Sequence, residues 1–210
     1  MQKILLIILG WLLGILSPIL QEKMQQKRNT KKISAAIITE LNDLEYRLMF
    51  LAFGLFTHIG KMNKDFLSWA ASVKENYSGP FVNEETNNAI VRLSALSDDE
   101  ITRLFPDRSQ TKGLRMSKMM IPFTQSKVDS LTHFPTDFQK QIFSILSQLS
   151  YLNDNIDFSM EDFDRMLDPD IDRENWCILR DNIIERWQAM GNRARQIADK
   201  IKQIRIKYSD

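Results

Sequence analysis

The sequence predicts an all-α protein: a single N-terminal transmembrane helix followed by a cytoplasmic, antiparallel helical bundle with long heptad-patterned helices. Three observations carry this expectation. Gly and Pro number only 7 and 6 among 210 residues, so residues that break helices are sparse. Apolar side chains recur at alternating spacings of four and three along three long stretches, the period of a helix with one buried seam. An uncharged apolar segment stands at the N-terminus and approaches the width of a bilayer core.

That segment is Ile4–Leu20, flanked by Lys3 and Gln21. At a rise of ~1.5 Å per residue it covers roughly 25 Å, near the short end for a spanning helix. A cleaved signal peptide and an interfacial helix are the alternatives. The apolar run is longer than a signal's usual core of ~7–15 residues, and the following ILQEKMQQKR is too bulky and polar for a cleavage site. A retained anchor is therefore expected. The chain then divides into anchor (1–21), basic juxtamembrane segment (22–32) and bundle domain (33–210).

Orientation follows from the flanks. Lys23, Lys27, Arg28, Lys31 and Lys32 crowd the C-terminal side, whereas Lys3 and the α-amino group stand on the other. Positive charge is retained on the cytoplasmic side, which places the N-terminus outside and the domain in the cytoplasm, at the plasma (inner) membrane. The same five cations are expected against anionic headgroups, at about 1 kcal/mol each near the surface. Within the anchor, Gly10 and Gly14 form a GxxxG that Ser17 extends, a small-residue stripe through which two helices can associate; chance is the competing explanation, since glycine is common in membrane helices.

Beyond the basic segment, Ile37, Leu41, Leu44, Leu48, Leu51, Leu55 and His58 form one seam, widened by Met49, Ala52 and Phe56. Shorter elements follow. Asn63 suits the cap of a helix carrying Phe66, Leu67, Trp69, Ala70 and Val73, and Asn83 the start of another with Ile90, Val91 and Leu93. Ser97 and Glu100 have capping-box spacing before Ile101, Leu104 and Phe105. Residues 107–113 read as a loop, and Met116, Met119 and Met120 lead to Ile121-Pro122. Pro135 then suits the first turn of a long helix with Phe138, Ile142, Ile145, Leu149, Leu152, Ile156, Phe163 and Met166 on its seam. A break at Asp168–Asp170 precedes the last helix. There Trp176, Ile183, Met190, Ile197 and Ile204 lie seven apart, interleaved with Trp187, Ala194, Ile201 and Tyr208, and Arg180 is the one charged seam residue.

Signals for chemistry are weak. His58 falls at the end of a core seam with no second histidine at metal spacing, so a hydrogen-bonded core histidine is expected; His133 suits a cap or surface position. Cys177 is the only cysteine, which excludes a disulfide framework within the chain, and its acidic neighbours Asp172 and Glu174 disfavour a thiolate. Asp168, Asp170 and Asp172 open like a calcium loop, but Arg173 and Leu179 stand where that loop needs glycine and glutamate. Helix-terminating acids are the better reading.

No catalytic, metal or cofactor-binding residue is assigned, and no cofactor is expected. A net charge of +1 and the lack of aromatic residues among the basic ones disfavour nucleic acid. The expected function is that of a non-enzymatic interaction or signalling protein, docking a protein partner the sequence does not identify, with self-association possible through the anchor. The alternative is a membrane effector or sensor. In it a basic loop of Arg108, Lys112, Arg115 and Lys118 would bind an anionic small molecule or a partner, and the anchors would oligomerise. A solvated connector is the plain alternative for that loop.

Overall fold

The computed structural model describes residues 2–106 and 116–208, with the side chains of 2–10, 12, 13, 15, 16 and 19 left out. All regular structure among the described residues is helical. The helices are α1 (Gln2–Ile59), α2 (Lys64–Glu75), α3 (Glu84–Ser94), α4 (Asp98–Leu104), α5 (Pro122–Ser126), a 3-10 turn (Val128–His133), α6 (Thr136–Met166) and α7 (Arg173–Tyr208).

α1 is a single helix of 58 residues that contains Pro18. Its backbone passes through positions 21 and 32 without a break, so the apolar stretch, the basic segment and the first core helix are one continuous helix. No helix of the described residues is long and apolar enough to cross a membrane. Most side chains of Ile4–Leu20, on which the anchor expectation rests, lie outside the described residues.

The core is built on α7, which packs against both α1 and α6. Contacts along the α1–α7 seam join residue 45 to 205 and 58 to 187, so these two helices are antiparallel. Along the α6–α7 seam Asp162 meets Arg186 and Asp137 meets Lys207, again antiparallel. It follows that α1 and α6 run parallel to each other on either flank of α7. This corrects the simple antiparallel bundle: the segment between residues 60 and 135 carries the chain back to the end where α6 begins.

The seams of α1 and α7 match the expected heptads, and Gly191 and Ala198 join the α7 core as small residues that let the helices approach. Trp176 and Tyr208, at the seam's ends, are only half-buried. On α6 the seam departs from expectation. Ser159 and Asp162 are buried, and Phe163 sits at the margin. A helix turns 3.6 residues, so a strict heptad drifts across its face over several turns. Here the drift brings in a carboxylate because Arg186 of α7 lies 2.9 Å from Asp162.

The short helices begin where their caps require. Asn63 Oδ1 accepts from the Phe66 amide at 2.8 Å, and Asn83 Oδ1 from Thr86 at 2.9 Å. Ser97 and Glu100 close a reciprocal capping box. α2 and α3 pack together against α1, and α2 also reaches α7 through Trp69 Nε1 to Asp199 at 2.9 Å. Val91 and Leu104, placed on apolar faces by sequence, are exposed. α5 and the 3-10 turn, absent from the sequence expectation, lie against α1 near Glu40 and near Gln26 respectively.

Candidate functional site

Among the described residues, two concavities bear on function. The first lies at the end of the bundle nearest the apolar stretch. Four elements meet there: the basic part of α1, the end of the 3-10 turn, the start of α6 and the end of α7. The cavity has a volume of ≈ 560 Å³, with Lys23, Lys27, Lys31, His133 and Lys207 among its lining residues. Helical periodicity explains the lysines, since positions 23, 27 and 31 repeat at i, i+4 and i+8 and share one face of α1. Phe134, Pro135 and Phe138 form the apolar wall, and Tyr208 closes the side toward α7.

Polar contacts fix this end of the bundle. Lys207 Nζ lies 2.6 Å from Asp137 Oδ2, and the Tyr208 hydroxyl donates to the same oxygen at 2.9 Å. These two donors, Lys207 first, hold the Asp137 carboxyl below the ordinary carboxylate range. Gln26 Nε2 lies 3.2 Å from His133 Nδ1, which ties the 3-10 turn to α1.

The second concavity, of ≈ 480 Å³, is an apolar cleft between the middle of α1 and two loops. Arg47, Phe50, Leu51 and Gly54 supply its floor, Phe81 and Val82 one wall, Met116 and Met119 the other. Two tyrosines of neighbouring elements position the first wall. Tyr46 and Tyr77 stack with ring centroids 4.2 Å apart. The Tyr77 hydroxyl donates to Asp43 at 3.0 Å and accepts from the Phe81 amide at 3.0 Å, while the Tyr46 hydroxyl donates to Asn87 and accepts from the Asn83 amide. The other wall is held by Asn153, whose amide group bonds both the N–H and the C=O of Met119, at 2.8 and 2.9 Å. Arg47 donates to the Met120 carbonyl at 2.8 Å.

The residues singled out by sequence separate into several places. Lys23, Lys27, Arg28, Lys31 and Lys32 are all exposed on α1, but only the first, second and fourth face the basic cavity. Gly14 and Ser17 are exposed, and the space where a Gly14 Cβ would stand is open; the surroundings of Gly10 lie outside the described residues. Arg108, Lys112 and Arg115 of the expected anionic-ligand loop also lie outside them. Lys118 is described, paired with Asp157 at 2.7 Å.

His58 is half-buried, with Nδ1 3.1 Å from the Gly54 carbonyl and its ring edge-on to Trp187. Cys177 is a free, half-buried thiol. Asp168 and Asp172 accept backbone N–H groups at the α6–α7 turn, and the Asn175 amide in particular lowers the Asp172 pKa. Arg180 leaves the seam to pair with Asp181 at 2.7 Å and lies over the Trp176 ring. Among the described residues no group of three or more His, Cys, Asp or Glu could hold a metal ion.

His133, Lys207 and Tyr208 were not recognisable as one site by sequence, because they come from two elements far from α1 in the chain. The usable signal is the run of basic residues near the C-terminus, Arg193, Arg195, Lys200, Lys202, Arg205 and Lys207, the last of which the antiparallel return of α7 carries back to Lys23–Lys31. Comparison with protein-family models, with curated proteins and with solved structures finds no match.

Proposed function

We propose that this protein is a single-pass, membrane-anchored helical interaction protein, non-enzymatic, that docks a partner at the membrane surface. The observation that carries the reading is the continuity of α1 from Gln2 to Ile59. Joined to the sequence of Ile4–Leu20 and its basic flank, that helix makes the anchor a continuous helical extension of the core. A tether of this kind confines the bundle to the bilayer and raises its effective concentration near membrane partners. The basic flank supports a cytoplasmic domain with Lys23, Lys27, Arg28, Lys31 and Lys32 near anionic lipid.

Exposed Phe50, Phe81 and Val82 at the apolar cleft support the interaction role, since contiguous apolar surface is what partner segments cover. At a helical rise of ~1.5 Å the cleft lies about 45 Å along α1 from Leu20, clear of the headgroup layer. A protein segment presenting apolar side chains is the occupant this chemistry suits.

Two measurements test the reading. Full-length protein should stay in the membrane pellet at alkaline carbonate pH, and protein lacking residues 1–21 should be released. In sealed vesicles of known orientation, protease should reach the bundle only from the cytoplasmic face. Crosslinking and affinity capture with and without residues 1–21, and with Phe81→Asp, then address the partner. Release of the full-length chain by carbonate overturns the anchor; a crosslinked partner indifferent to Phe81→Asp overturns the cleft's role.

A further inference from the structure

The basic cavity has a property that a general attraction to lipid does not explain. Lys23, Lys27 and Lys31 stand at i,i+4 spacing on one face, an arrangement that like-charge repulsion disfavours in a helix. Lys207 and His133 add to it from across the cavity, so four lysines and a histidine line it and no carboxylate does. Asp137 is engaged outside this lining by Lys207 and Tyr208. Glu22 lines an adjoining cavity that shares Gln26, Thr30 and His133 with this one. Lys23, Lys27 and Lys31 therefore face a cavity with no carboxylate in its lining, while Lys207 opposite them is paired with Asp137.

We propose that this cavity binds the phosphate of an anionic phospholipid headgroup, with Lys23, Lys27 and Lys31 as the principal ligands and Lys207 opposite them. The chemistry recognised is a phosphate ester, which a lipid or a soluble phosphate could supply. Position and shape favour the lipid. Lys23 follows Leu20 by three residues, about 5 Å at the helical rise, which is the depth of the headgroup layer, while Lys27 and Lys31 stand about 10 and 16 Å from Leu20, so the cavity opens onto the bilayer at its Lys23 end. The wall of Phe134, Pro135 and Phe138 beside the lysines suits an amphiphile better than a hydrated ion. The proposal rests on the anchor reading and narrows it. Arg28 and Lys32 belong to the same basic segment but do not line the cavity, so they fall outside the site.

That distinction supplies the test. The full-length chain in mild detergent is titrated with dihexanoyl phosphatidylglycerol, with dihexanoyl phosphatidylcholine and with inorganic phosphate. Each titration is repeated for Lys27→Gln/Lys31→Gln and for Arg28→Gln/Lys32→Gln, which remove the same charge one residue apart. All four side chains are exposed, so both variants should fold as the parent does. The expected result is saturable binding of phosphatidylglycerol over phosphatidylcholine, weakened about thirtyfold in the first variant, at about 1 kcal/mol for each lysine beside an anionic headgroup, and little changed in the second. Equal weakening in both variants means a diffuse field and overturns the site, as does no weakening in either. Inorganic phosphate binding as tightly as phosphatidylglycerol overturns the lipid assignment. Carbonate extraction of the same protein reads the anchor separately, so a failed anchor and a failed site give different results.

Discussion

Gly191 of α7 lies so close to Phe56 of α1 that a Cβ built on it would stand 2.8 Å from the ring. The two helices approach here because one of them has no side chain, and Phe56, 6% exposed, fills the space. Gly191→Ala gains up to about 1 kcal/mol of helix propensity and incurs about 1–3 kcal/mol of overpacking. A net loss of about 1 kcal/mol is expected in urea unfolding. In a Phe56→Leu background the same Gly191→Ala change should be neutral or stabilising. Additive losses in the double-mutant cycle would refute the contact as the cause.

Glu45, 3% exposed, pairs with Arg205 across the same helix interface. Burial raises its pKa above the ordinary carboxylate value, and the Arg205 hydrogen bond and charge only partly oppose that. The sign of the linkage follows. The raised pKa contributes stability that is fully present below the unfolded value and is lost as pH rises through the folded one. Relative to Glu45→Gln, the parent protein should therefore weaken as pH increases through that interval. Arg205→Met should cost about 3 kcal/mol at neutral pH, because it leaves a buried carboxylate without this partner. A parent that gains stability over Glu45→Gln across the interval contradicts the assignment.

These two contacts show what sequence could reach. The seam residues of α1 and α7 and the caps Asn63, Asn83 and Ser97–Glu100 were legible, because helix period and capping are local rules. Phe163 packs at the margin of the core, and Asp162 was overlooked, because only α7 supplies the arginine that makes a buried aspartate tolerable. α5 was invisible for a related reason: its five residues are held by Glu40, far earlier in the chain. The lysines of the basic cavity were legible as a charge cluster, but not as one face with Lys207, which depends on how α7 returns.

Glu40 gives a direct test of that remote dependence. Its carboxylate accepts from the Phe123 amide at 2.9 Å, the Thr124 amide at 2.7 Å and the Thr124 hydroxyl at 2.6 Å. Thr124 is fully buried, so its amide and hydroxyl have no access to solvent as a substitute. Glu40→Ala should cost about 2–3 kcal/mol, the range for charge-assisted hydrogen bonds with a partner left unsatisfied. Hydrogen exchange at Phe123 and Thr124 should accelerate while the α6–α7 seam keeps its protection. Unchanged exchange at both amides would show that α5 is held by packing alone.

Asn153 does for the cleft wall what Glu40 does for α5. Its side chain replaces a strand-like partner for Met119, accepting from the N–H and donating to the C=O at 2.8 and 2.9 Å. The segment 116–120 has no regular structure of its own, so this pair and the Arg47–Met120 bond set where the methionines stand. Asn153→Leu keeps the side-chain volume on α6 and removes both bonds. Stability should fall by about 1–3 kcal/mol, the cost of leaving backbone groups unpaired. The loss should be local: the Met119 amide should exchange faster, while Asn83 and Phe81, held by Tyr46 and Tyr77, should not change. If capture of a partner at the cleft needs a preformed wall, Asn153→Leu should weaken it even though Asn153 does not line the cleft. Faster exchange at Met119 with capture unchanged would show that the partner contacts only the Phe81–Val82 side.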